Sequence, residues 1–386
     1  MTPGARVAAA IAILDQIIAG QPAEKALTAW ARGSRYAGSK DRAAVRDHVF
    51  DALRARRSLG DGDGRDLMAR LCQRDGADLD ALFSGEGHAP TALTAAERDA
   101  LTTPLELSLD AASDVPAWLW PDWQQSLGEA AVAAAEAQQR RAPVFLRVNP
   151  VKADVATALA TLADDDIPAE PHQTVPGSLR VTGNARRIKN ARAYAAGMVE
   201  LQDAASQDAV LTVPVREGAR VLDYCAGGGG KALAFAALPG VHVTAHDIEP
   251  ARMQDIPSRA TRAGVQIDRL PTVKLRDAGP FDVVFCDAPC SGSGTWRRTP
   301  DAKWRLTPDA LDHYARLQDQ VLREAVTLVR PGGILAYATC SVLSQENEDR
   351  IAAFQAELPT MRIGLTRRWL PSDAHDGFFL TVLHRA

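Results

Sequence analysis

Cysteine is scarce in this sequence. There are 5 in 386 residues, at positions 72, 225, 286, 290 and 340, an odd number with no C-x-x-C pair. That spacing speaks against a disulfide framework and a zinc site, and suits a reducing compartment. A dominant charge is also missing. With 44 Lys and Arg against 48 Asp and Glu, the formal net charge of -4 argues against a uniformly basic nucleic-acid binder but leaves room for local basic patches. No N-terminal stretch has the apolar core and small-residue cleavage site of a secretion signal. "VAAAIAILDQIIAG" carries an Asp and ends too soon to span a bilayer, so a cytoplasmic protein is expected. Long uncovered apolar segments are absent, which fits a monomer, and so are internal repeats. What is present is the composition of a soluble globular protein, 46% hydrophobic and 24% charged. At this length two or three domains are expected.

Val7, Ile11, Leu14 and Ile18 recur at helical spacing, as do Val45, Val49 and Leu53 in "KDRAAVRDHVFDALRARRSLG". The other faces of that second helix carry Arg42, Arg46, Arg54, Arg56 and Arg57. They read either as a solvated face or as a surface for RNA. Turn residues crowd the chain after residue 60 ("GDGDG", "SGEGHAP"), and "PDWQQSLGEAAVAAAEAQQR" adds a further helical pattern. The expected organisation is a helical domain at 1–85, a linker and helical connector at 86–140, a subdomain at 141–215 opening on "PVFLRVNP", and an α/β domain at 216–386. In the last, the strands "ARVLDYC", "VHVTAHD", "TVKL", "FDVVFCDAP" and "GILAYATCS" alternate with amphipathic helices. That alternation predicts a parallel sheet covered on both faces.

The loop from Cys225 through Ala226, Gly227, Gly228, Gly229 and Gly230 to Lys231 follows the first of these strands and opens a helix. Glycines there allow close backbone approach to a ligand, and a helix N-terminus favours negative charge. A triphosphate loop would need Gly at Cys225 and Ser or Thr at Ala232, so that pattern fails. Asp247 ends the second strand, about twenty residues on, where a carboxylate meets a ribose in this architecture. Asp277 follows the third strand as read here, and Asp287 the fourth. A row of acids argues for an adenosine-type ligand with little or no phosphate, a description that S-adenosylmethionine fits.

Cys290 and Cys340 follow the fourth and fifth strands, so both thiols can face one crevice. Cys72 and Cys286 read as small buried hydrophobes. "DAPCSGSG" with "RRTPDAKW", followed by "YATCS" and "ENE", resembles the RNA (cytosine-5)-methyltransferase family, in particular its bacterial 16S ribosomal RNA type. "FLRVNP", "GMVELQDAASQ" and "DGFF" extend the resemblance over nearly the whole chain, and the N-terminal helices are similar to that type's NusB-like RNA-binding domain.

The resemblance implies a Rossmann-like, S-adenosylmethionine-dependent methyltransferase domain behind an all-α NusB-like domain. It implies Cys340 as the nucleophile at cytosine C6, Cys290 as the group that assists release, and Asp287 on the N3 edge; the reverse assignment of the thiols is the alternative. The 225–231 loop would hold the methionine end, with Asp247 on the ribose and Asp277 near the adenine. The family's A-P-G-G-K-T stands here as "AGGGGKA", a departure that bears on cofactor affinity. Arg186, Arg187 and Lys189, and Arg297, Arg298 and Lys303 beside Trp296 and Trp304, are candidate RNA contacts. The rival reading is a non-catalytic RNA-binding or ribosome-assembly factor on the same scaffold.

Overall fold

The structure, a computed structural model, describes all 386 residues and divides into two compact units. The first comprises residues 1–141 together with 296–306. It is all helical. Helices Pro3–Ile18, Ala23–Gly33, Ser39–Arg54 and Gly64–Arg74 bury the apolar stripe read from the sequence: Val7, Leu14, Val45, Val49 and Leu53 are each 0% exposed. Side-chain caps fix where the first and fourth of them start. Thr2 Oγ1 accepts from the Ala5 N–H, and Asp63 accepts from the N–H groups of Arg65 and Asp66.

Residues 86–140, expected as a connector, fold into this same unit, with helices Ala95–Thr102, Trp120–Leu127 and Ala131–Gln139. The segment 296–306 belongs to it as well. Trp296 stacks on Trp123 at 5.7 Å, Trp304 Nε1 donates to the Leu53 carbonyl at 2.7 Å, and the Ala23 N–H donates to Asp301 at 3.2 Å.

The second unit, residues 142–295 and 307–386, holds two sheets. The smaller is antiparallel and contains β1 (Val144–Val148), β2 (Ala169–Pro171), β3 (Ser178–Val181) and β4 (Val199–Leu201) in the order β2-β3-β1-β4. Helix Val155–Asp164 adds Ala158 and Leu162 to the core beneath it.

The larger sheet contains β5 (Arg220–Asp223), β6 (His242–Ala245), β7 (Ile267–Arg269), β8 (Phe281–Asp287), β9 (Val329–Thr339), β10 (Met361–Trp369) and β11 (Phe378–Arg385). Its order is β10-β11-β9-β8-β5-β6-β7. The five strands from β9 to β7 are parallel, and the β10–β11 hairpin closes one edge antiparallel. The near-continuous apolar runs follow from burial on both faces. In β8, Val283 and Phe285 enter one core, and Val284 and Cys286 enter the other. The third strand lies upstream of its expected place. Thr272–Lys274 is a 3-10 turn, and Ile267–Arg269 is the strand. Thr272 has a different use, since its hydroxyl lies 3.0 Å from Nε2 of the buried His246. No helix is long and apolar enough to cross a membrane.

Candidate active site

The parallel register brings the chemical groups to one edge. Asp223 pairs with Phe285 across β5–β8, and Asp287 pairs with Ala338 across β8–β9. Residues just beyond the carboxyl ends of these strands therefore lie side by side, as expected of a ligand crevice in an open α/β sheet. A cavity of about 440 Å³ opens there, lined by residues of the 223–231 loop, Arg252, Asp287, Cys290, Tyr314 and Cys340.

Cys290 Sγ and Cys340 Sγ are 3.4 Å apart. The contact with Cys340, burial, and the nearby Glu346 carboxylate together push the Cys290 thiol well above the ordinary range. Cys225 also lines the cavity, and burial, reinforced by Asp223 and Asp287, pushes its thiol up. It is a wall of the site. Cys286 and Cys72 are buried in the cores, as their pattern predicts.

Lys231 Nζ lies 2.6 Å from Asp287 Oδ2 and 5.1 Å from the centre of the Phe378 ring. Burial pulls this ammonium down, but Asp287 and Asp223 outweigh it and raise the Lys231 pKa. Asp223 went unnoticed in the sequence because it reads as the last residue of a strand. It is 1% exposed, and no hydrogen bond of normal geometry reaches either oxygen, although the Ala232 N–H lies close by. Burial pushes its carboxyl up to about 7, with Lys231 partly offsetting the rise. An unpartnered buried carboxylate in a ligand cavity is a perturbed group of the kind that marks functional sites.

The glycine loop is held by Asp247. Its Oδ2 accepts from the Gly227 N–H at 2.9 Å and pairs with Arg252 at 3.1 Å, and its Oδ1 accepts from the Glu249 N–H. Gly229 is required by geometry. Its φ is +80°, and a Cβ would sit 2.7 Å from Ile256 Cγ1.

Three expectations are corrected. Asp277 is exposed on the four-residue helix Leu275–Ala278 and does not line the cavity, because the "TVKL" segment before it is a turn and not a strand. Arg297 and Lys303 are 1% and 2% exposed inside the helical unit and offer no surface to RNA. The Arg297 carbonyl accepts from Arg54 Nε, its N–H donates to Gln138, and burial holds the Lys303 ammonium down at about 8. The flanking tryptophans are structural too: Trp296 is 1% exposed and Trp304 packs on the helical core. Arg54, read as part of an outward face, is 5% exposed. Arg186, Arg187 and Lys189 are exposed on the 3-10 helix Ala185–Asn190, where Arg187 pairs with Asp166 at 2.8 Å.

The sheet order and the glycine loop after its first central strand define a Rossmann-like methyltransferase fold. Two crystal structures share it. One, of the protein PH0851, has a TM-score of 0.77 and 23% identity and covers 100% of this chain and 99% of that one. The other, a methyltransferase homolog from Pyrococcus horikoshii, has a TM-score of 0.62 and 23% identity and covers 72% and 98%.

The chain belongs to the RsmB/F methyltransferase family. Residues 210–384 match the family described as 16S rRNA methyltransferase RsmB/F, and residues 115–186 match the family's ferredoxin-like domain. The ribosomal RNA small subunit methyltransferase B of Yersinia pseudotuberculosis is 32% identical over 287 residues, which cover 68% of this chain and 65% of that protein. The enzyme of the same name from Yersinia enterocolitica is 32% identical over 291 residues, covering 69% and 66%. The match thus spans less than two thirds of the length of these curated relatives.

Proposed function

We propose that the protein is an S-adenosylmethionine-dependent RNA cytosine-C5 methyltransferase acting on small-subunit ribosomal RNA. The observation that carries this reading is the pair of sulfurs 3.4 Å apart at the ends of adjacent strands, in one cavity with Asp287, Lys231 and the glycine loop. The names of its relatives support an RNA substrate.

The residues present fit the cofactor. Asp223 is a buried carboxylate without a partner, as a cationic ligand requires, and the 225–231 loop would receive the methionine end beside it. Asp247 would share its carboxylate between Gly227 and a ribose hydroxyl. Ile248, 71% exposed and next in sequence, offers an apolar face to an adenine. S-adenosylmethionine, when bound, supplies the methyl group.

C5 of cytosine is a poor nucleophile, so a thiolate must first add to C6. Cys340 would make that bond, and Asp287, paired with Lys231 at 2.6 Å, would hold the N3 edge. The Cys340 sulfur, 3.4 Å away, opposes ionisation of Cys290. Once the Cys340 charge is consumed in a C–S bond, one cause of the raised Cys290 pKa is gone. Once C5 carries the transferred methyl, Cys290, its own proton lost to solvent, takes the C5 proton as the C6–S bond breaks and Cys340 leaves as a thiolate. A base must leave its stack to reach these thiols. Arg186, Arg187, Lys189 and Arg298 would contact phosphates, with the helical unit as a further RNA surface.

The thiol variants separate the roles. Cys340→Ala should abolish methyl transfer with cofactor affinity near wild type by calorimetry. Cys290→Ala should trap an RNA–protein adduct, seen as a shifted band on a denaturing gel. Full turnover in Cys340→Ala, or normal turnover without adduct in Cys290→Ala, would contradict the assignments.

A further inference from the structure

Glu346 is a carboxylate at 0% exposure, and it sits under both cysteine loops. Oε1 accepts from the Ser291 N–H at 2.8 Å and from Gln318 Nε2 at 3.1 Å. Oε2 accepts from the hydroxyls of Ser291 and Ser341, each at 2.5 Å. Ser291 follows Cys290, and Ser341 follows Cys340, so each thiol is one residue from a group held by the same side chain. The neighbouring bonds repeat the pattern. The Gly294 N–H donates to the Cys340 carbonyl at 2.9 Å, the Ser293 and Ser341 hydroxyls lie 2.8 Å apart, and Gln318 also donates to the Pro289 carbonyl.

All four donors to Glu346 are neutral. Burying a charge that neutral groups alone must satisfy is expensive, and an amide could hold the loops without that cost. The same carboxylate is among the groups that raise the Cys290 pKa. We propose that Glu346 is a positioning residue, a clamp that holds the Cys290 and Cys340 loops in register and sets the charge beneath Cys290. The assignment rests on the two-thiol reading of the site. Its consequence falls on Cys290: the Glu346 charge opposes ionisation of that thiol.

The test has one arm that needs no RNA. In a Cys340→Ala background, alkylation of Cys290 by iodoacetamide is followed by peptide mass spectrometry as a function of pH. Adding Glu346→Gln should lower the midpoint by about 1 pH unit or more, the size of a neighbouring-charge effect. A purely structural loss would change the rate at every pH and leave the midpoint in place, so an unmoved midpoint overturns the proposal. In the otherwise native enzyme, Glu346→Gln should lower kcat on the order of tenfold to a hundredfold at unchanged KM for RNA and cofactor. Unchanged kcat overturns the clamp. If Glu346→Gln fails to fold, Ser341→Ala takes its place. Loss of kcat by about threefold or more at unchanged KM then supports the clamp, and full kcat overturns it. Should the unsubstituted protein methylate no RNA, the proposed function fails, and the alkylation profile still decides the role of the Glu346 charge.

Discussion

At the scale of single residues, Asp223 and the two thiols divide what the sequence made legible from what it hid. Cys290 and Cys340 announce themselves because each stands at a strand end within a specific motif. Asp223 looks like strand, and only burial without a partner reveals it. Its pKa yields a signed prediction. A folded-state value of about 7, raised by burial above the ordinary carboxylate range, means that the folded protein holds this proton more tightly than the unfolded chain. The associated stability is present below about pH 4 and is lost as pH rises towards 7. Asp223→Asn should therefore match the wild type in thermal unfolding at pH 4 and exceed it by about 1 kcal/mol or more at pH 8. The same change should weaken S-adenosylmethionine binding by calorimetry. An equal stability difference at both pH values would remove Asp223 from this account. Asp277 teaches the opposite lesson, because its assignment depended on one short strand that proved to be a turn.

At the scale of elements, the strong periodicities were readable. Helix Pro308–Ala325 and the strands β5, β6, β8 and β9 lie where the alternation predicts, since two-sided burial leaves unmistakable apolar runs. Three-residue strands such as β7 carry too little pattern to be found. The glycine loop is the element on which the cofactor reading depends. A Pro lost at Gly228 loosens the unbound chain at a cost of about 1 kcal/mol or less, but Gly229 is not negotiable, with φ at +80° and Ile256 against the missing Cβ. Gly229→Ala should cost about 1–2 kcal/mol in the left-handed conformation alone and lower cofactor affinity, while the thiol pair stays intact. Unchanged affinity by calorimetry would show that the loop does not hold the ligand.

At the scale of the molecule, the sequence foretold an all-helical region followed by an α/β domain but misplaced the allegiance of two segments. Residues 86–140 and 296–306 both belong to the helical unit. The second was hidden by its composition. "WRRTPDAKWR" reads as a cationic loop, yet Trp296, Arg297 and Lys303 are nearly fully buried, and a buried cation has no signature in a single sequence. With those cations internal and the net charge at -4, the proposed RNA binding would rest on exposed patches such as Arg186, Arg187 and Lys189. It should accordingly be salt-sensitive. The most direct test of the whole account combines purified protein, radiolabelled S-adenosylmethionine and unmodified small-subunit ribosomal RNA, followed by bisulfite sequencing of the product. Label converging on one cytosine that resists conversion is the predicted result. Cofactor binding without label in any cytosine, on naked RNA or on small-subunit particles, would contradict it.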